Sequence, residues 1–156
     1  MKVSPEIIDM MNMRLAEEHA AFVQYKTHAS MCKNNGYMKL ANYIDGRAEQ
    51  EKEHAQELID RILYLEGVPI YENITAVNVG SQIIEMFPND QQSELMAIAG
   101  YIDLIELCVK LRDFGTRKLA EHILDEEEAH LNEIESNITQ ITNSGIDDYL
   151  IIQIEG

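Results

Sequence analysis

The sequence predicts an all-α protein: a four-helix bundle with one long crossover connection and a short C-terminal fifth helix. Three observations carry this prediction. Apolar residues recur at alternating three- and four-residue steps over four long stretches, the period of a helix with one buried face. Only three prolines and eight glycines occur in 156 residues, and 46% of the chain is hydrophobic, the profile of a helix-rich globular protein. Finally, a set of residues repeats at one offset of 76: Glu18 recurs as Glu94, Tyr25 as Tyr101, Glu51 as Glu127 and His54 as His130. The chain is expected to form a single domain over residues 1–156.

Ser4-Pro5-Glu6 opens the first helix, with a capping hydroxyl, a proline in the first turn and an acid at the positive end of the dipole. Its apolar stripe runs through Ile8, Met11, Leu15, Phe22, Tyr25, Ala29 and Cys32, and Asn34-Asn35-Gly36 stops it. A second helix spans about Met38 to Leu65, with Leu40, Ile44, Leu58, Ile62 and Leu65 on one side, and Glu66-Gly67-Val68-Pro69 ends it. The short turn between these helices makes them antiparallel neighbours. Gly67 to Gly80 has no helical period. Extended, that segment reaches roughly 46 Å, about the length of a thirty-residue helix, so it can cross the whole bundle.

A third helical region begins near Ser81 and carries Ile98, Tyr101, Ile105 and Cys108, and Pro88 should kink or break it. A fourth runs from about Phe114 to Asn143 with Leu119, Ile123, Ile134, Ile138 and Ile141. Asn143-Ser144-Gly145 closes it, and Ile146 to Ile154 reads as a short terminal helix.

The stripes also place the repeated acids. Glu18 falls between Leu15 and Phe22, Glu94 between Gln91 and Ile98, Glu51 and His54 between Arg47 and Leu58, and Glu127 and His130 between Ile123 and Ile134. The helical period puts all six inside the bundle. An unpartnered buried carboxylate costs several kcal/mol or is forced neutral, and four at one height repel unless cations lie between them. Glu-x-x-His sets both side chains on one helix face, one turn apart. Two lone glutamates and two Glu-x-x-His pairs on four helices form the ligand set of a carboxylate-bridged dinuclear site. Two divalent ions would balance the four carboxylates and leave two neutral imidazoles as terminal ligands.

Other groups read more plainly. His19, His28 and His122 lack such partners and are expected at the surface or supporting the ligands. Glu126 and Glu128 lie in a charge run and are expected to be solvated. Tyr25 and Tyr101 each sit seven residues after a ligand-type Glu, on the same face, as core residues or as donors of a hydrogen bond or an electron. Cys32 and Cys108 are expected to be buried free thiols, with no Cys-x-x-Cys to hold a metal. The net charge of −16 argues against nucleic acid and anionic membrane as partners and suits cationic ones. No apolar run is long enough to span a bilayer, and no signal-peptide pattern opens the chain. A cytoplasmic location is expected.

With these residues in view, the chain resembles bacterioferritin, in the ferritin-like superfamily, over essentially its whole length. The resemblance lies in Glu17-Glu18-His19, the Glu51-x-x-His54 helix, Asp125-Glu126-Glu127-x-x-His130 and the tail Gly145-Ile146-x-x-Tyr149-Leu150. It implies a ferritin-like four-helix bundle and a homo-oligomeric shell of 24 subunits with a ferroxidase centre of two iron ions in each. Ferrous iron would be oxidised by dioxygen or hydrogen peroxide and mineralised inside. By position, Glu51 and Glu127 would bridge the irons, Glu18 and His54 would complete one, and Glu94 and His130 the other. Bacterioferritins typically bind haem through a Met directly after the first bridging Glu. Here that position is Lys52, which argues against the family's bis-methionine haem. A His and an Asp that some relatives carry on the cavity side of the second helix are Gly46 and Gln50 here. Two other readings share the ligand set: a rubrerythrin-like di-iron peroxidase or oxidase without storage, and a metal-binding bundle without catalysis.

Overall fold

The computed structural model describes residues 4–71 and 76–155. Four long helices follow in order, α1 (Pro5–Asn34), α2 (Met38–Tyr64), α3 (Ile83–Leu111) and α4 (Phe114–Ser144), and a short α5 (Ile146–Ile151) ends the chain. Local chemistry sets the helix starts. Ser4 accepts from the Glu6 amide and Pro5 sits at the first helical position of α1. Glu85 folds back onto the Ser81 and Gln82 amides at the head of α3. Asp113 accepts from the Thr116 amide at the head of α4. Each such cap satisfies a backbone donor that helix geometry leaves without a partner.

α1 packs on α2 and α3 on α4, and the two pairs join through α1 against α3 and α2 against α4. Contacts fix the directions. Tyr25 of α1 meets Glu94 of α3 while Tyr101 of α3 meets Glu18 of α1, so α1 and α3 are antiparallel. His54 meets Glu126, and Gln50 meets His130, so α2 and α4 are antiparallel too. α2 and α3 therefore point the same way, and the chain must travel the length of the bundle between them.

It does so along α1. Asn12 donates to the Val68 carbonyl and accepts from the Ile70 amide. Farther along α1, Gln24 accepts from the Asn78 amide and His28 Nε2 from the Gly80 amide. From Asn12 to His28 is a rise of about 24 Å along the helix. Residues 72–75, which the expected crossover includes, lie outside the described residues.

The core is two apolar slabs. One holds Met11, Leu15, Leu58, Ile62, Leu104, Cys108 and Ile123. The other holds Tyr25, Cys32, Leu40, Ile44, Phe87 and Ile134, with Tyr149 of α5 closing that end. On every long helix the repeated acids and histidines fall between the residues of the two slabs, so a polar layer divides the core.

Several expectations shift. Pro88 does not break α3, which runs through it. The proline is exposed and lies near the helix start, and it forfeits a single backbone hydrogen bond. The buried stripe also rotates by one residue in places: Ile7 rather than Ile8, Ala97 rather than Ile98 and Leu104 rather than Ile105 are the buried ones. Two partner helices at different sides draw the contact face between neighbouring positions. The terminal helix stops at Ile151, and the Gln153 carbonyl accepts from the Lys39 amide at the start of α2. Cys32 and Cys108 are buried and free, and burial pushes both thiols up to about 12.

Candidate metal centre

The structure brings all six sequence-predicted residues together. Glu18 comes from α1, Glu51 and His54 from α2, Glu94 from α3, and Glu127 and His130 from α4. Each is at most 2% exposed. They form two overlapping groups, Glu18, Glu51, His54 and Glu127, and Glu51, Glu94, Glu127 and His130. Within each group one ligand atom per residue lies within 4.8 Å of the others.

His54 Nδ1 is 2.9 Å from Glu127 Oε1 and 3.6 Å from both Glu18 Oε2 and Glu51 Oε2. His130 Nδ1 is 3.2 Å from Glu51 Oε1, 3.7 Å from Glu94 Oε1 and 3.8 Å from Glu127 Oε1. Glu51 and Glu127 thus reach both imidazoles, whereas Glu18 and Glu94 each reach one. The two rings lie nearly parallel, with centroids 6.2 Å apart.

Hydrogen bonding tests whether this arrangement suits cations. Buried polar atoms are almost always partnered. Here Glu18 Oε2, Glu51 Oε1, His54 Nδ1, Glu94 Oε2, Glu127 Oε1 and His130 Nδ1 are buried with no hydrogen-bond partner. Each of the six residues thus has one buried polar atom without a hydrogen bond, and all six belong to the two overlapping groups. The second oxygens of Glu18 and Glu94 are, by contrast, engaged. Tyr101 donates to Glu18 Oε1 and Tyr25 to Glu94 Oε1, both at 2.5 Å. Each phenol comes from the helix opposite its acceptor and is essentially fully buried. Burial and the adjacent carboxylates hold both phenols well above their ordinary value, so they stay protonated and donate.

Without cations the charges are in conflict. Burial and the neighbouring carboxylates push Glu51 and Glu127 well above the usual carboxylate range. Burial acts on Glu18 in the same direction but loses to its contacts with Glu51, His54 and Tyr101, which hold it low. Burial would lower His54, but Glu127, Glu18 and Glu51 raise it above the ordinary imidazole value. Two divalent ions would relieve that conflict by balancing the carboxylates. A cavity of about 80 Å³ reaches these acids between α1 and α3, past Glu17, Gln24, Asn78, Ser93 and Met96.

A ferritin-like domain model matches residues 8–144. The chain belongs to the ferritin-like family. It is 36% identical to the bacterioferritin of Streptomyces coelicolor, covering 99% of this chain and 93% of that one. It is 34% identical to the bacterial ferritin of Pseudomonas aeruginosa, over 99% and 100% of the two chains. The bacterioferritin of Brucella melitensis is 30% identical over 96% and 92%.

In this ferritin-like chain two supporting residues escape the sequence reading. Glu126, expected to be solvated, accepts from His54 Nε2 at 2.5 Å and is only partly exposed. Gln50 accepts from His130 Nε2 at 2.5 Å. Both bonds keep the proton on Nε2 and turn Nδ1 inward. The offset of 76 was the available signal, because it maps Gln50 onto Glu126. Glu128 is exposed as expected. His28 is fully buried and pairs with Asp90 at 2.9 Å, holding the crossover and not the ligands. His19 stacks on Tyr71, and His122 is exposed beside Glu126. Among the described residues no helix is long and apolar enough to cross a membrane.

Proposed function

We propose that the chain stores and detoxifies iron as a ferroxidase. Glu18, Glu51, His54, Glu94, Glu127 and His130 hold two iron ions as substrate, with Glu51 and Glu127 shared between them. The observation that carries this reading is that six buried residues, each with one polar atom lacking a hydrogen bond, cluster in two groups that share Glu51 and Glu127. Relatives named bacterioferritin support iron over other divalent ions, since hard oxygen ligands with two imidazoles accept several.

Each Fe(II) loses one electron. The pair passes, with two protons from solvent, to dioxygen, giving hydrogen peroxide, or to hydrogen peroxide, giving two waters. Anionic carboxylates favour the ferric state because the charge they neutralise grows by one on each ion. Tyr25 and Tyr101 keep the terminal carboxylates in place through that change. The ferric product then hydrolyses and mineralises inside a shell of 24 copies of the chain.

Three measurements test this. Anaerobic titration of the purified protein should bind two Fe(II) per chain, and Glu127→Ala should abolish rapid oxidation while the fold persists. Size measurement with iron loading should give a particle of 24 chains that retains ferric iron. A monomer or dimer that oxidises iron without retaining it would favour a peroxidase or oxidase and overturn the storage reading.

A further inference from the structure

The internal repeat supplies a control for the centre itself. Under the offset of 76, each candidate ligand of one metal position has a chemically identical counterpart at the other: Glu18 with Glu94, His54 with His130, and Glu51 with Glu127. The supports of the carboxylates match as well, since Tyr101 on Glu18 and Tyr25 on Glu94 make bonds of equal length. One pair breaks the symmetry. His54 is backed by the carboxylate of Glu126, and His130 by the neutral amide of Gln50, again at equal distances.

The difference extends one residue farther. Glu126 Oε1 lies 3.3 Å from Nε2 of His122, while the position related to His122 by the repeat is Gly46, which has no side chain to offer. The carboxylate thus has a second imidazole nearby, and the amide has none at the related position.

A carboxylate that accepts the Nε2 proton moves electron density into the ring, making Nδ1 a stronger donor to a cation, and it adds a full negative charge nearby. An amide does the first weakly and the second not at all. We infer that Glu126 and Gln50 make the two metal positions unequal: the position completed by Glu18 and His54 fills first and holds its ion more tightly, and the position completed by Glu94 and His130 is the exchangeable one. Glu126 and Gln50 are positioning residues in this scheme, acting on the ions only through the imidazoles. The inference rests on the dinuclear reading given above, and it assigns the order in which ions enter and leave.

Zinc(II) tests it without redox chemistry. Crystals of the metal-free full chain, loaded with one Zn(II) per chain, should show anomalous density at the His54 position. The exchanged variant Glu126→Gln/Gln50→Glu should show it at the His130 position. Because mutual repulsion weakens the second ion in any such pair, calorimetry is read on the first ion, and Glu126→Gln should weaken it about tenfold. That substitution is isosteric and keeps an acceptor for Nε2, so a loosened fold would not mimic the exchanged density. Equal density at both positions, or density that does not move in the exchanged variant, overturns the inference and leaves the dinuclear centre standing. An unchanged first-ion affinity in Glu126→Gln overturns it too. No zinc at either position overturns both.

Discussion

Replacing Glu127 with Gln should stabilise the metal-free protein while destroying its function. Glu127 is 1% exposed and shares its volume with Glu18, Glu51 and Glu94, so burial and those three charges lift it well above its ordinary value of 4.5. Between the unfolded value and the higher folded one, the native chain binds more protons than the unfolded chain, and stability falls as pH rises. Each pH unit spent in that window costs about 1.4 kcal/mol. The distance of the working pH above the unfolded value therefore bounds the cost at about 4 kcal/mol at pH 7.5 and about 1 kcal/mol at pH 5. A Gln side chain carries no such cost, and its amide finds carboxylate acceptors on every side. It forgoes about 1 kcal/mol through imperfect hydrogen bonding. The metal-free variant should gain up to about 3 kcal/mol at pH 7.5 and little or nothing at pH 5. Thermal unfolding followed by circular dichroism, on chelator-treated protein at fixed chain concentration, reads both numbers. Saturating Zn(II) should reverse the order, because ions that bind only the folded wild type stabilise it by mass action. A metal-free variant less stable than wild type at pH 7.5 would refute the charge argument.

Further outcomes follow from the same geometry. Tyr101→Phe removes the donor to Glu18 and should lower stability by about 1.5–3 kcal/mol, as should Tyr25→Phe at Glu94; a loss below about 0.5 kcal/mol in either would show that the phenol does not hold its carboxylate. His28→Ala removes the partner of Asp90 and the acceptor of the Gly80 amide. Hydrogen exchange should accelerate at residues 76–80 and stay unchanged in α4, whereas uniform acceleration would contradict a local clamp. Lys52 is an exposed cation next to Glu49 and could ligate haem iron only as a neutral amine. Purified protein should lack the absorbance of one haem per two chains, Lys52→Met should gain some, and a full haem spectrum in the wild type would overturn this.

The four helices and the six converging residues were legible in the sequence because both depend on period. A 3.6-residue turn assigns each position to a face, and a Glu or His on the buried face of a stripe is costly unless something compensates it. Repetition of that costly pattern at one offset made the two halves recognisable as two contributions to one site. The crossover was legible from length and direction: two short-looped pairs leave only a bundle-long connection between them.

What period cannot supply is the identity of a partner on another helix. Glu126 sits in a run of acids beside Glu128, and along the chain only the offset of 76, which relates it to Gln50, sets it apart. It meets His54 only because α2 and α4 run antiparallel at a register that sets residue 126 opposite residue 54, and the same register sets Gln50 opposite His130. Likewise His28 reads as an isolated polar residue until packing buries it between Asp90 and the Gly80 amide. Pro88 reads as a breaker, yet α3 runs through it. Local sequence determined which faces are buried and which residues enter the polar layer. The packing of α1 on α3 and α2 on α4 decided which atom of each side chain is held and which is left free, because a hydrogen bond is satisfied by distance in space and not by spacing along the chain.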